Sequence, residues 1–225
     1  MMNIEHLSDE KSTLQAVLSY PDDTTDLPLL IFLHGAGERG TGNNLQNVYR
    51  HGVPKLVKSG KNIPAIVLCP QCPAEYVWNN MVREVKALID GIVERFGVKK
   101  DRICLTGGSM GGFGTWELAM TYPSFFSAIA PVAGGGLSWR CVKLIGMPIK
   151  AYHGTDDAEV PITYSELMID RFKNTGADAT LVRLEGFGHV DGITEAYENT
   201  DLIDWLLSKR RTDFSRVPEA FEKYF

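Results

Sequence analysis

Long apolar runs are missing from this sequence, and no uninterrupted stretch approaches the roughly 20 residues that a membrane-spanning helix needs. Cysteine is scarce, four in 225 residues, too few for the disulfide scaffold of a small secreted domain. Positive charge is in deficit: 23 Lys and Arg stand against 28 Asp and Glu, leaving a net charge of −5. That balance gives nucleic acid or an anionic membrane no electrostatic hold, so neither is expected as a partner. The one basic cluster, Lys209-Arg210-Arg211, follows a predicted helix end, where it complements the helix dipole. The opening residues have no basic segment followed by an apolar one, so the expected location is cytoplasmic. Repeats, low-complexity tracts and linkers are also lacking. What remains is 44% hydrophobic and 23% charged, the ordinary composition of a globular protein. One domain over 1–225 is the expectation, with 208–225 as a C-terminal tail carrying Phe214, Phe221, Tyr224 and Phe225.

Short apolar runs, each stopped by a turn residue, alternate with longer stretches of helical periodicity. Leu29-Leu30-Ile31-Phe32-Leu33 runs into a glycine-rich segment, Ala65-Ile66-Val67-Leu68-Cys69 stops at Pro70, and Arg102-Ile103-Cys104-Leu105-Thr106 stops at Gly107. Further runs lie at 128–132, 149–152 and 179–184, and an early edge strand is predicted over 13–18, ended by Pro21. Such runs fit parallel strands buried on both faces. Between them Val82, Val85, Leu88, Ile89, Ile92 and Val93 recur at helical spacing, with Asn79 or Asn80 as the predicted cap and Gly97 as the stop. Two more helices are predicted over 163–174 and 193–207. The alternation calls for an α/β fold on a mostly parallel sheet with helices on both faces.

The chemistry is concentrated directly after the third of these runs, at Gly107-Gly108-Ser109-Met110-Gly111-Gly112. This is G-x-S-x-G between a strand and a helix. A serine presented as a nucleophile sits on a strained strand-to-helix turn, so the residues two away on either side must be small. Gly107 and Gly111 meet that demand, and the Met110 amide at the helix start faces the oxygen that gains charge during acyl transfer. Serine at its ordinary pKa is a weak nucleophile; it needs a base, and the base needs an acid to orient it. In α/β-hydrolases these follow in the order serine, acid, histidine. His153 and His189 are the histidines after Ser109, and His189 occupies the loop between the last strand and the last helix, where the base is expected. Asp156 and Asp157 both lie at the end of the preceding strand. Asp157 is preferred because it stands deeper in the turn before the next helix, while Asp156 stays open as the alternative; Asp191 reads as a loop or helix-cap residue. A second oxyanion donor should follow the strand at 29–33, in His34-Gly35-Ala36-Gly37-Glu38-Arg39-Gly40, where the Ala36 amide is the natural choice.

Taken together, the 34–40 segment, the 107–112 turn, His153-Gly154-x-x-Asp157-x-x-Val160-Pro161 and Gly188-His189 resemble the carboxylesterase and phospholipase group of α/β-hydrolases. The likeness is greatest to its predicted-peptidase and polyhydroxyalkanoate-depolymerase-like esterases, and it runs from about residue 29 to about residue 207. It implies the α/β-hydrolase fold and serine ester hydrolysis through an acyl-enzyme, with no metal or organic cofactor. Thioesterase, peptidase or acyltransferase chemistry on the same residues stays open, as does a silent binding module. Only residues 133–148 separate two strands where lipases insert a cap, so no cap domain is expected. The open site fits small-molecule or surface-presented esters.

Other patterns compete for attention. Gly35 to Gly40 also spells G-x-G-x-x-G, but a dinucleotide site requires a carboxylate about 20 positions on, and that strand ends Leu68-Cys69-Pro70. The lone Cys69-x-x-Cys72 pair has no second pair with which to bind zinc. His6, His34 and His51 lack ligand spacing, and His34 is expected to order the loop beside the oxyanion turn. Trp116 is expected in the core. Trp78 and Trp139 are candidates to wall a substrate pocket, and Arg39 with Glu38 either grips a polar substrate group or forms an ion pair within the loop.

Overall fold

The five-residue run Leu29–Leu33 shows how the architecture is built. Every residue of it is buried, which requires cover on both faces of the strand. Successive strand side chains point to opposite faces, and here Leu29, Ile31 and Leu33 enter one core while Leu30 and Phe32 enter another. The computed structural model describes residues 2–8, 14–41 and 43–214. In it an eight-stranded sheet separates two helical layers. The strands are β1 (Met2–Leu7), β2 (Gln15–Pro21), β3 (Leu29–Leu33), β4 (Ile66–Gln71), β5 (Ile103–Gly108), β6 (Ala128–Val132), β7 (Ile149–Gly154) and β8 (Ala179–Leu184). Their order across the sheet is β1-β2-β4-β3-β5-β6-β7-β8. β1 and β2 are antiparallel additions at one edge; from β4 to β8 all pairings are parallel.

The helices are α1 (Gly52–Lys58), α2 (Val82–Phe96), α3 (Met110–Thr121), α4 (Thr163–Asp170), α5 (His189–Glu198) and α6 (Leu202–Ser208). α2, α3 and α4 send Val85, Ile89, Trp116, Leu118 and Met168 into the core under Leu29, Ile31 and Leu33. α1, α5 and α6 fill the opposite core with Val53, Val57, Ile193, Tyr197, Ile203 and Leu206. Each such side chain, fully buried, contributes about 1.5–3 kcal/mol relative to exposure. The expected α/β-hydrolase architecture is therefore present, and the residues from 133 to 148 hold a single short 3-10 helix, Ser138–Leu144, in place of a cap.

Several local expectations are corrected. α2 ends as predicted, at Gly97 in the left-handed region with φ 62. Its N-cap, however, is Met81 with no side-chain cap, because Asn79 and Asn80 are taken up in a 3-10 turn begun by Trp78. The single helix predicted over 193–207 is two. Asp201 is held by Lys150 Nζ at 2.7 Å and by the Tyr152 hydroxyl at 3.0 Å, both on β7, and its carbonyl restarts the helix by accepting the Trp205 amide. That anchor bends the chain between α5 and α6. α4 stops at Asp170, four residues short of the predicted end. The strand predicted over 13–18 is β2, which begins at Gln15 and runs on to Pro21; it is not the edge strand expected, because β1, which carried no recognised signal, pairs along its outer side.

The basic cluster does more than complement a dipole. Lys209 pairs with Asp178, Arg210 with Asp101, and buried Arg211 donates to the carbonyls of Pro123 and Phe126. The described part of the tail is thus bound to the body, with the Phe214 carbonyl accepting from Ser124. Phe221, Tyr224 and Phe225 lie outside the described residues.

Candidate active site

In this topology β3 is flanked by β4 on one side and β5 on the other, and ligands in open α/β sheets bind beyond the strand ends at such a switch. β5 delivers the elbow there. Ser109 has φ 56 and ψ −121, a strained left-handed conformation for a residue with a Cβ. The turn closes because its neighbours have no side chains. A Cβ on Gly111 would collide with the Leu33 carbonyl oxygen, and one on Gly107 would come within 2.6 Å of the same atom. The Ser109 amide donates to Val132 O at 3.0 Å, and the first helical bond of α3 runs from the Phe113 amide to Ser109 O at 3.1 Å. The amide of Met110 precedes that bond and has no acceptor within the helix.

Ser109 Oγ stands 2.8 Å from His189 Nε2, and His189 Nδ1 stands 2.7 Å from Asp157 Oδ2. The Asp157 side chain is fully buried, and its other oxygen, Oδ1, accepts the amides of Glu159 and Val160 at 3.0 and 2.8 Å. Asp157 can only accept, so Nδ1 carries the imidazole hydrogen and Nε2 is left as an acceptor for the serine hydroxyl. Asp156, the alternative acid, is exposed and among the described residues accepts the hydroxyl of Thr155 at 3.2 Å. Asp191 accepts the Gly192 amide in the first turn of α5. His189 is itself the first residue of that helix, one step beyond the loop in which it was expected.

Opposite the elbow, residues Ala36–Glu38 form one 3-10 turn after β3. Three successive carbonyls of this turn are taken by side chains: Ala36 O by Arg39 Nε at 3.1 Å, Gly37 O by Arg50 at 3.0 Å, and Glu38 O by Gln71 at 3.0 Å. These bonds fix the turn through its carbonyls, and Ala36, Gly37 and Glu38 line the cleft beside Ser109. His34, at the end of β3, completes the brace. Its Nδ1 donates to Gly35 O at 2.6 Å, and its Nε2 accepts the Cys72 amide at 3.0 Å. Burial lowers its pKa to about 4, so the ring is neutral and its tautomer is set by these two partners.

A cleft of about 210 Å³ opens between the two walls, lined by Phe32, Ala36, Glu38, Ser109, His189 and Ile193, among others. Glu38 is 5% exposed. Burial raises its carboxyl pKa, an effect opposed by His51, whose Nε2 lies 3.8 Å away, and by Arg50. Among the described residues, no group of three or more His, Cys, Asp or Glu side chains converges as a metal site would require.

Three sequence candidates are placed elsewhere. Trp78 is 2% exposed and donates Nε1–H to His34 O at 2.8 Å, so it supports the loop from beneath rather than walling a pocket. Trp139, 44% exposed on the 3-10 helix Ser138–Leu144, is not among the residues lining the cleft. Arg39 also stays outside the cleft, bonded to Ala36 O and Ala74 O; Glu38 faces His51, so the loop ion pair does not form. Trp116 is buried as expected. Arg50, His51 and Val190 line the cleft unforeseen. A clue to the first two was Gly52, whose φ of 64 and contact with the Phe32 ring tie the start of α1 to β3.

An eight-stranded sheet of this order, with a serine elbow after β5, an acid after β7 and a histidine after β8, is the α/β-hydrolase arrangement. Within it the chain belongs to the phospholipase/carboxylesterase family, whose profile matches residues 70–196. A solved thermostable esterase is 29% identical with a TM-score of 0.77, over 93% of this chain and 63% of that one. A feruloyl esterase module from Clostridium thermocellum, solved with sinapinate, has a TM-score of 0.69 at 14% identity, over 90% of this chain and 87% of that one; at that identity the likeness is one of fold. Poly(3-hydroxyalkanoate) depolymerase C of Paucimonas lemoignei is 37% identical over 51 residues, 23% of this chain and 12% of that protein. The chain thus spans less than two thirds of the length of the depolymerase and of the thermostable esterase. Among the described residues no helix is long and apolar enough to cross a membrane.

Proposed function

We propose that this chain is a serine carboxylesterase that works through an acyl-enzyme on Ser109. The observation that carries the reading is the continuous line from Ser109 Oγ to His189 Nε2, 2.8 Å, and from His189 Nδ1 to Asp157 Oδ2, 2.7 Å. Ser109 Oγ attacks the ester carbonyl while His189 Nε2 takes its proton, and Asp157 holds the imidazolium that results. The amides of Ala36 and Met110 bind the tetrahedral oxyanion. Collapse expels the alcohol, which leaves with the proton held by His189. A water molecule then attacks the acyl-enzyme along the same route, releasing the acid and restoring Ser109.

The uncapped cleft supports small or surface-presented esters with short or flat acyl groups. In solution we expect hydrolysis of p-nitrophenyl acetate and butyrate, and covalent capture of Ser109 by a fluorophosphonate. Ser109→Ala should lose about 10⁶ in turnover, the cost of removing the nucleophile from a complete triad. Substantial ester hydrolysis by that variant would overturn the assignment. Rates on matched esters, thioesters and amides, with and without an alcohol acceptor, distinguish hydrolysis of esters from the other acyl-transfer reactions open to the same groups.

A further inference from the structure

The chemistry of Ser109, His189 and Asp157 leaves a second buried histidine unused. His153 lies on β7, four residues before Asp157, and its side chain has no solvent exposure. Its Nε2 stands 2.7 Å from Val160 O and 3.3 Å from Asp157 Oδ2, the oxygen that also meets His189 Nδ1. Its Nδ1 stands 2.7 Å from Ser165 Oγ on α4, and that hydroxyl lies 2.9 Å from Gly134 O, after β6.

Counting protons determines which atom donates. A carbonyl and a carboxylate only accept, so the hydrogen must sit on His153 Nε2, which donates to Val160 O at 2.7 Å with Asp157 Oδ2 3.3 Å away. Burial lowers the pKa of the ring against the opposing pull of Val160 O and Asp157, so it is neutral and Nδ1 is an acceptor. The Ser165 hydroxyl, with one hydrogen and two acceptors in reach, divides it between Nδ1 and Gly134 O. Asp157 is then enclosed: Oδ1 accepts two amides, and Oδ2 accepts His189 Nδ1–H with the His153 N–H 3.3 Å away.

We propose that His153 is a positioning residue for the triad, its N–H meeting the same Asp157 Oδ2 that His189 meets and withdrawing part of its negative charge. The inference rests on the serine-hydrolase reading above. The His153 bond fixes the carboxylate plane with Oδ2 turned toward His189. It also moderates how strongly Asp157 favours the imidazolium over the neutral base. Without it the carboxylate stabilises imidazolium more, and a higher pH is needed to free Nε2 for catalysis. Other charged or titratable groups near this pair, among the described residues, include Asp156 beside Asp157, Glu38, Arg50, His51 and Glu159 at the cleft, Asp191 on α5, and the Arg183–Glu166 pair between β8 and α4. All are unchanged by substitutions at positions 153 and 165.

The test uses His153→Phe, which removes the donor, His153→Gln, whose amide restores one, and Ser165→Ala, which removes the hydroxyl behind Nδ1. For His153→Phe we expect kcat on p-nitrophenyl butyrate to fall about tenfold, with KM nearly unchanged. The acid limb of its kcat/KM profile should move up by about half to one pH unit. His153→Gln should recover most of both changes, and Ser165→Ala should move the limb in the same direction by less. If His153→Phe fails to fold, the Gln and Ala variants decide. An acid limb in the wild-type position for every folded variant overturns the inference while leaving the triad intact. Hydrolysis that survives Ser109→Ala overturns the triad reading and this inference with it.

Discussion

Acidification should loosen the loop after β3 through His34, by an amount set by the displacement of its pKa. In the fold the ring is neutral, donating from Nδ1 to Gly35 O and accepting the Cys72 amide at Nε2. A proton on Nε2 would set a cationic N–H against the Cys72 N–H in a site with 1% exposure. Burial accordingly lowers the pKa from 6.5 to about 4. The folded value is below the unfolded one, so between them the unfolded chain binds more protons. Stability therefore falls as pH drops through the unfolded value and levels off below the folded one. A displacement of this size corresponds to about 3 kcal/mol, a large share of the roughly 5–15 kcal/mol that holds a domain together. Urea unfolding of the wild type and His34→Gln from about pH 7 to about pH 4 would measure it. The glutamine keeps an acceptor for Cys72 but leaves Gly35 O without its donor, so at neutral pH the variant should be less stable by about 1–2 kcal/mol. That deficit should shrink and then reverse on acidification, because only the wild type carries the histidine term. Other groups titrate equally in both proteins and cancel from the difference. A gap that stays constant across the range would refute the argument.

The remaining predictions concern the elbow, the acid and the buried carboxyl. Asp157→Asn should lower kcat by about 10⁴, as loss of the orienting acid does in a serine triad. Asp156→Asn should leave steady-state ester kinetics nearly unaltered, since its side chain is exposed and accepts from Thr155. Gly111→Ala puts a methyl group on the Leu33 carbonyl and should destabilise the protein by more than about 3 kcal/mol in thermal or urea unfolding. Glu38 has its pKa raised by burial, so the fold retains that proton when the unfolded chain has released it, and stability is lost as pH rises through its titration. Glu38→Gln should therefore gain stability relative to wild type on going from about pH 4 to about pH 8, with melting temperature as the readout.

The parts of this molecule legible in the sequence are those in which one residue type has one physical use. A run such as Leu29-Leu30-Ile31-Phe32-Leu33 cannot be half-exposed, so it announced a strand covered twice. Gly107 and Gly111 flank a serine because a Cβ at either would meet Leu33 O. Less legible were residues whose use depends on a distant partner. Asp201 breaks the last helix only because Lys150 and Tyr152 reach it from β7. Trp78 sits beyond a strand end, the usual address of a pocket wall, but its indole N–H is spent on the His34 carbonyl. Arg39 is charged and beside the cleft, yet its donors face the loop's own carbonyls. His153 appeared as the first letter of a motif, and its contact with Asp157 became visible only when the turn at Val160 folded back over it.

One backbone segment links these observations. The end of β3 presents Leu33 O to the glycines of the elbow and His34 O to Trp78, and then turns directly into the Ala36–Glu38 donors. Any shift of β3 along its register with β5, where Leu33 lies opposite Gly107, would move both walls of the cleft relative to the serine. The side chains that brace the loop, Arg39, Arg50 and Gln71, all bind its carbonyls. If the Ala36 amide serves as proposed, the carbonyls are where rigidity can be added without consuming an oxyanion donor. On the proposed reading, preorganisation of the oxyanion site is thus a property of main-chain positions held by side-chain bonds to their carbonyls, from Arg39 and Gln71 outside the cleft and from Arg50 at its lining. It follows that replacing Arg50 or Gln71 should impair kcat more than KM, although neither is assigned a step in the chemistry.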